Sequence, residues 1–212
     1  DLVNICGQIH TAIAGAERVF AVLDEPSEDK SGEFTMDNST GNIEFNHVDF
    51  SYIPGKQVLH DFNLKVKAGQ KVALVGSTGS GKTTVVNLLM RFYDIDNGSI
   101  TIDGVNIKDI DCENLRKNTA IVLQDTVLFA DTVKNNLLYS RQDATDTEII
   151  AAAKKANCHN MIMHLPDGYD SMLAKDGQNL SQGQRQLLSI ARAFVASAKI
   201  LILDEATSSV DT

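Results

Sequence analysis

The run Gly76-Ser77-Thr78-Gly79-Ser80-Gly81-Lys82-Thr83 fits the pattern G-x-x-x-x-G-K-[ST]. Its residue types suit one task, the holding of a polyphosphate. Glycines let backbone N–H groups curl around phosphate oxygens, in φ/ψ regions that side chains forbid. A helix that starts at Lys82 adds its unpaired N–H groups and positive dipole end to the same anion. Lys82 supplies a point charge for the β- and γ-phosphates, the Thr83 hydroxyl is placed to ligate Mg²⁺, and Thr84 is a further phosphate contact.

A second constellation lies far downstream. Ile200-Leu201-Ile202-Leu203 reads as a strand buried on both faces, and it delivers Asp204 and Glu205 at its carboxyl end. Open α/β sheets place their ligands there. Asp204 would hold Mg²⁺, and Glu205 would orient and deprotonate an attacking water. An Asp-Glu pair alone is commonly a solvated strand end; the phosphate loop upstream is what gives it weight. The third constellation is Leu180-Ser181-Gln182-Gly183-Gln184. Ser181 and Gln184 have the spacing of a capping box, and a helix start explains them without further function. It does not explain Gly183 between them, where glycine weakens a helix. A small residue at an exposed helix start leaves room for an anion.

The elements that must position these residues follow from periodicity. An apolar seam of period 3.5 through Leu2, Ile5, Ile9, Ala12, Ala16, Val19 and Leu23 predicts a helix over 1–24, closed by Pro26. Residues 26–40 have the composition of a linker. From Gly41 the period becomes two. Strands are expected over 43–50, with one irregularity, and over 58–66, with a turn at 53–55 between them. Buried parallel strands are expected at 72–75, 120–123 and 200–203, and a short strand at 99–103. Helices are expected over 82–92 and 181–196, with a mainly helical block over 132–164. Alternating strands and helices indicate an α/β fold, with a helical insertion at about 132–180.

Composition bounds the function. Apolar residues make up 43% and charged residues 22%, which is ordinary for a globular chain and excludes disorder. Nineteen basic against 28 acidic residues give a net charge of −9. The chain therefore lacks the basic surface of a non-specific nucleic-acid binder, and no nucleic-acid partner is expected. No apolar run is long enough to span a bilayer. Cys6, Cys112 and Cys158 show no metal or disulfide spacing, suit a reducing compartment and offer only packing. His159 and His164 read as surface or helix-packing residues. With no initiating Met and an abrupt end at Asp211-Thr212, the chain reads as part of a longer protein.

Taken together, the three motifs resemble those of the ABC ATPase superfamily, whose signature is usually LSGGQ; here Gln182 stands at the first glycine. Further matches run in family order: Tyr52 where an aromatic stacks on adenine, Gln124 in the Q-loop, and Ser208-Ser209-Val210-Asp211 as the D-loop. Tyr52 within Phe-Ser-Tyr also fits a core position in a strand. Leu128-Phe129 and Asp176-Gly177-Gln178-Asn179 are similar to the exporter branch, and residues 1–25 to the segment leaving the last membrane helix of exporters with a fused ATPase. The resemblance implies a P-loop NTPase core with a parallel sheet and an N-terminal antiparallel β subdomain over 41–212, with the C-terminal strands missing.

It also implies ATP and Mg²⁺ as ligands, with Gln124 beside Thr83 and Asp204 at the metal. The catalytic residues would be Glu205, Lys82 and Gln124. Ser181, Gly183, Gln184 and Asp211 would meet ATP held by a second ABC ATPase domain, closing head to tail as a homo- or heterodimer. The other partner would be the membrane domain of the same polypeptide, at the cytoplasmic face of the cell membrane. In the family a histidine on the strand after the D-loop contacts the γ-phosphate. His10, His47, His60, His159 and His164 all precede Asp204, so this stretch alone is expected to hydrolyse little ATP. The rivals are a soluble ABC ATPase acting on nucleic acid or ribosomes, which the acidic balance opposes, and a non-hydrolysing regulatory module, which Glu205 opposes. A peripheral import ATPase is opposed by the helix at 1–25.

Overall fold

The 3.5-residue seam produces the helix it predicts, α1 (Leu2–Leu23). In the computed structural model, which describes residues 2–28, 32–123 and 127–204, α1 belongs to a compact unit of its own, Asp1–Lys30, separate from Ser31–Thr212. Its seam residues Ile5, Ile9, Val19 and Leu23 are exposed. Among the described residues no helix is long and apolar enough to cross a membrane.

In the larger unit, period-two alternation yields β1 (Ile43–Ile53), three residues longer than expected. It pairs antiparallel with β2 (Lys56–Val66) and, on its other side, with β3 (Asn97–Ile102). A two-residue β4 (Val105–Asn106) completes the order β2-β1-β3-β4. The irregularity read in the sequence is a register shift between Phe45 and Val48, where His47 takes a left-handed φ of 49°. The shift keeps Phe45, Val48 and Phe50 all facing inward. They pack with Ile100, Ile102 and Leu59, and with Val85 and Leu88 of α2 (Lys82–Leu89), so the antiparallel sheet is the bed on which α2 lies.

The expected helix over 82–92 ends at Leu89 because Arg91 adopts a left-handed φ of 52°. Arg116, on α3 (Cys112–Lys117), donates to the carbonyls of Met90 and Arg91 and lies 5.0 Å from the Phe92 ring centre, so it caps that end. Part of the linker-like segment is fixed as well. Met36 is buried, with its N–H on the Asn114 side chain, and the Asp103 carboxylate accepts from Ser39, Thr40, Gly41 and Asn42.

Downstream, β5 (Thr119–Val122) lies parallel to β6 (Ile200–Leu203). Between them come α4 (Val133–Leu138), α5 (Asp146–Lys155), α6 (His159–Met163), two 3-10 turns at Gly168–Asp170 and Lys175–Gly177, and α7 (Gln182–Val195). These helices form a second core around Leu137, Ile149, Ile162 and Leu188. Cys158 is buried in it and Cys112 is buried beside Leu115, whereas Cys6 is exposed.

Two expectations for the parallel strands fail. Residues 72–75, read as a buried parallel strand, join no sheet, and Val75 is 89% exposed. An apolar run of four can be buried only if neighbours flank it, and among the described residues β5 and β6 pair only with each other. β6, expected to be buried on both faces, is not: Leu201 and Leu203 are exposed, because one side of the strand has no neighbour among the described residues.

Candidate functional site

The phosphate-loop pattern lies on an exposed segment that leads into α2. Gly81 precedes the helix at φ 89°, and no side chain caps the helix start. Only glycine takes that conformation without strain. The first-turn N–H groups, which have no partner within a helix, are thereby left for a ligand. A Cβ on Gly76 would lie 2.5 Å from Ser80 Oγ, so a larger residue there would force the Ser80 hydroxyl to turn away. Gly79 takes φ 84°, and Ser80 N–H closes a turn on the Ser77 carbonyl at 3.1 Å. Lys82 bends back over the loop, its Nζ donating to the carbonyls of Gly76 (2.8 Å) and Ser77 (3.0 Å). A compact cation thus rests on the mouth of a ring of small residues that includes Thr78. Carbonyls hold it with two neutral acceptors; phosphate oxygens would bind it more strongly.

Thr83 is exposed in the first turn. Thr84 is buried, and its Oγ1 accepts from the Tyr52 hydroxyl at 3.2 Å. Asn87, one turn on, donates to the same hydroxyl at 3.3 Å. The structure therefore brings Tyr52, 32 residues upstream, onto the phosphate-loop helix. The ring also packs edge-on against Phe50 (4.8 Å) and Tyr93 (5.0 Å) while remaining 44% exposed. Tyr52 is thus partly a core residue and partly an open aromatic surface beside the loop.

Asp204 is half-buried at the carboxyl end of β6, where its N–H continues the parallel pairing onto the Val122 carbonyl (2.9 Å). At the start of α7 the predicted capping box is formed. Ser181 N–H donates to Gln184 Oε1 (2.8 Å), and Gln184 N–H donates to Ser181 Oγ (3.2 Å). Gly183 sits between them in the first turn. Gln124, Glu205 and Asp211 lie outside the described residues.

The donor set at Thr83 and Asp204 is hydroxyl and carboxylate oxygen, which suits Mg²⁺. Among the described residues no group of three or more His, Cys, Asp or Glu side chains could hold a metal by itself.

Sequence reading missed Asn87, Asn136 and Arg192. The last carried a signal: it lies four residues after Leu188 and three before Val195, so a charged residue falls on the apolar face of α7.

The chain is similar to several known proteins. The chain is 52% identical over 214 residues to an uncharacterized ABC transporter ATP-binding protein, YfiC, of Bacillus subtilis, matching all of this chain and 35% of that protein. It is 48% identical over 212 residues to the fatty acid ABC transporter ATP-binding/permease protein of Mycobacterium bovis (100% of this chain, 34% of that protein). It is 48% identical over 211 residues to the ATP-dependent lipid A-core flippase of Legionella pneumophila (100% and 36%). The chain thus spans about a third of the length of these relatives. Among solved structures, a bacterial Atm1-family ABC exporter with ATP bound superposes with a TM-score of 0.85 at 37% identity, over 96% of this chain and 36% of that one. Residues 59–208 match the ABC transporter family model, and this chain belongs to that family.

Proposed function

We propose that the chain is the nucleotide-binding domain of a membrane exporter and that the whole protein hydrolyses ATP to drive export. Residues 1–25 would be a juxtamembrane helix, 26–40 a linker and 41–212 the ATPase domain, with 132–180 as its helical part. The membrane domain would belong to the same polypeptide, which would place this domain at the cytoplasmic face of the cell membrane. The observation that carries the reading is the Gly81–Lys82 start of α2, uncapped and overhung by a lysine, with Tyr52 bonded to Thr84 one turn in.

In this reading the ring of Tyr52 stacks on the base, the N–H groups of Gly76, Ser77, Thr78, Gly79, Gly81, Thr83 and Thr84 take the phosphate oxygens, and the Ser80 hydroxyl is a further contact while its N–H holds the turn. Lys82 exchanges its loop carbonyls for β- and γ-phosphate oxygens. Thr83, Asp204 and Gln124 would hold Mg²⁺, which when bound offsets negative charge on the phosphates. Glu205 orients the attacking water and accepts its proton, with Gln124 as a further catalytic residue at the metal. Ser181, Gly183, Gln184 and Asp211 of one domain meet ATP held by a second such domain. The Ser181 hydroxyl is suited to that contact, because it accepts within the capping box and keeps its own proton to donate.

The test is ATP affinity of the full-length protein carrying Lys82→Ala. Losing two charge-assisted bonds should weaken binding by on the order of 100-fold. Unchanged affinity refutes the reading.

A further inference from the structure

In the nucleotide reading above, base and phosphates meet two parts of the chain that are separate in sequence: Tyr52 near the end of β1, and the loop that runs into α2. Two hydrogen bonds at one oxygen join them. The Tyr52 hydroxyl donates to Thr84 Oγ1 at 3.2 Å and accepts from Asn87 Nδ2 at 3.3 Å. Thr84 and Asn87 stand three residues apart on α2, on one face and about 4.5 Å apart along its axis. One bond would let the phenol oxygen swing about its partner, whereas two from one rigid helix set its position. The hairpin that carries Tyr52 is braced close by. Leu59 of β2 packs where Gly81 leaves room, since a Cβ there would lie 2.8 Å from Leu59 Cδ2. Gln57 donates across the hairpin to Asp49 Oδ1 (2.7 Å) and to the Leu59 carbonyl (2.9 Å).

The shape of the tyrosine divides the work among its neighbours. The line from Cβ through the ring to the hydroxyl is the axis about which the ring turns. Bonds at the oxygen therefore fix where that axis points and leave the turn about it free. Phe50 and Tyr93 set the turn, meeting the ring at interplanar angles of 84° and 90° with centroids 4.8 and 5.0 Å away. Edge-to-face pairs of this kind favour one orientation. Of the two residues that hold the oxygen, Thr84 also has its N–H among the open first-turn donors, so it serves both halves of the site. Asn87 does not. The helical bonding of α2 is already closed two residues earlier, where the Val85 N–H meets the Gly81 carbonyl at 3.0 Å.

We propose that Asn87 is a positioning residue for the base: it holds the axis of the Tyr52 ring at a set place relative to the phosphate loop, and takes no part in holding phosphate. The inference rests on the nucleotide-site reading given above and names the residue that registers its two halves. Loss of Asn87 weakens a ligand that has a base and spares one that is phosphate alone.

The test uses the full-length protein with Asn87→Leu, which keeps the size of the residue, suits a helix and removes the donor. KM for ATP should rise about threefold, no more than Tyr52→Phe raises it, while kcat stays within about twofold of wild type. The inhibition constant of inorganic tripolyphosphate, which has phosphates and no base, should not move. Tyr52→Phe removes the oxygen that Asn87 holds, so adding Asn87→Leu to it should raise KM no further. Wild-type KM, equal weakening of ATP and tripolyphosphate, or multiplying losses in the double variant would each overturn the proposal. If Asn87→Leu does not yield folded protein, Asn87→Ala carries the same expectations. A wild type that binds tripolyphosphate as tightly as ATP overturns the base reading of Tyr52 itself, and this proposal with it.

Discussion

Two helix starts in this molecule look alike in sequence and differ in structure. Both α2 and α7 follow a run of small and polar residues, and both have a glycine at the entry. At α2 the glycine is the cap itself, left-handed and without a side-chain bond, so the first-turn N–H groups are left open. At α7 the cap is Ser181, and the N3 donor is already closed onto its hydroxyl. The first leaves room for a whole phosphate chain, as proposed above. The second has fewer free donors and offers one hydroxyl proton and the N–H groups of Gln182 and Gly183. A site that contributes one face to ATP held elsewhere needs no more than that. A third start, at α5, serves as an internal control: Thr145 and Glu148 form a capping box to which no ligand role is assigned.

Gly81→Ala should have the largest effect. It forces a side chain into φ 89° and to 2.8 Å from Leu59 Cδ2, which costs about 1–3 kcal/mol and misdirects the N–H groups that follow. Denaturant unfolding and ATP affinity should both fall, and retention of wild-type affinity would show that the α2 start does not hold the phosphates. At α7, Ser181→Ala should cost about 1 kcal/mol in urea unfolding, whereas Ser181→Asp, an equally good cap, should cost almost nothing. ATPase activity of the full-length protein should nonetheless fall further in Ser181→Asp, because a carboxylate would face phosphate. A fully active Ser181→Asp would reduce this end to a cap alone.

A smaller effect is expected at Tyr52. Tyr52→Phe keeps the ring and removes the hydroxyl bonded to Thr84 and Asn87, so ATP affinity should drop by a few-fold (about 0.5–1.5 kcal/mol). Tyr52→Ala should lose clearly more. Equal losses in the two variants would show that the hydroxyl, and not the ring, is what matters.

The smallest effect separates the two capping boxes by pH. The Thr145 N–H, with the Arg141 guanidinium and the Thr145 hydroxyl, holds the Glu148 carboxyl down at about 2. Because this folded-state value is depressed, its contribution is present above the unfolded carboxylate range near 4.5 and is lost as pH falls toward about 2. The α7 box uses the amide of Gln184 and has nothing to titrate. Amide exchange at Thr145 should therefore quicken between pH 5 and pH 2 relative to Ser181, and Glu148→Gln should remove the difference. Parallel behaviour in the unmodified protein would contradict the two-box comparison.

Much of this was legible in the residues. The register shift in β1 showed as a break in alternation between Phe45 and Val48, and the α7 cap showed as the Ser181–Gln184 spacing. Both are local, set within a few residues by side-chain direction and by the donors a helix start exposes. Residues 72–75 were misread because burial of a strand is a property of its neighbours, and an apolar run does not name them. Arg192 gave no motif for a related reason: its partners Asn136 and Val127 lie 56 and 65 positions back along the chain.

The sequence by itself determined the phosphate loop, the strand end at Asp204 and the helix starts, because glycine conformations, caps and apolar periods act over one or two turns. Only the tertiary structure decided that Tyr52 meets Thr84, that Lys82 rests on its own loop, and that Arg192 of α7 donates to the Val127 carbonyl. Those contacts join residues that neither period nor motif relates. They exist because the antiparallel sheet under α2 and the helical core around α7 each hold distant parts of the chain in one place.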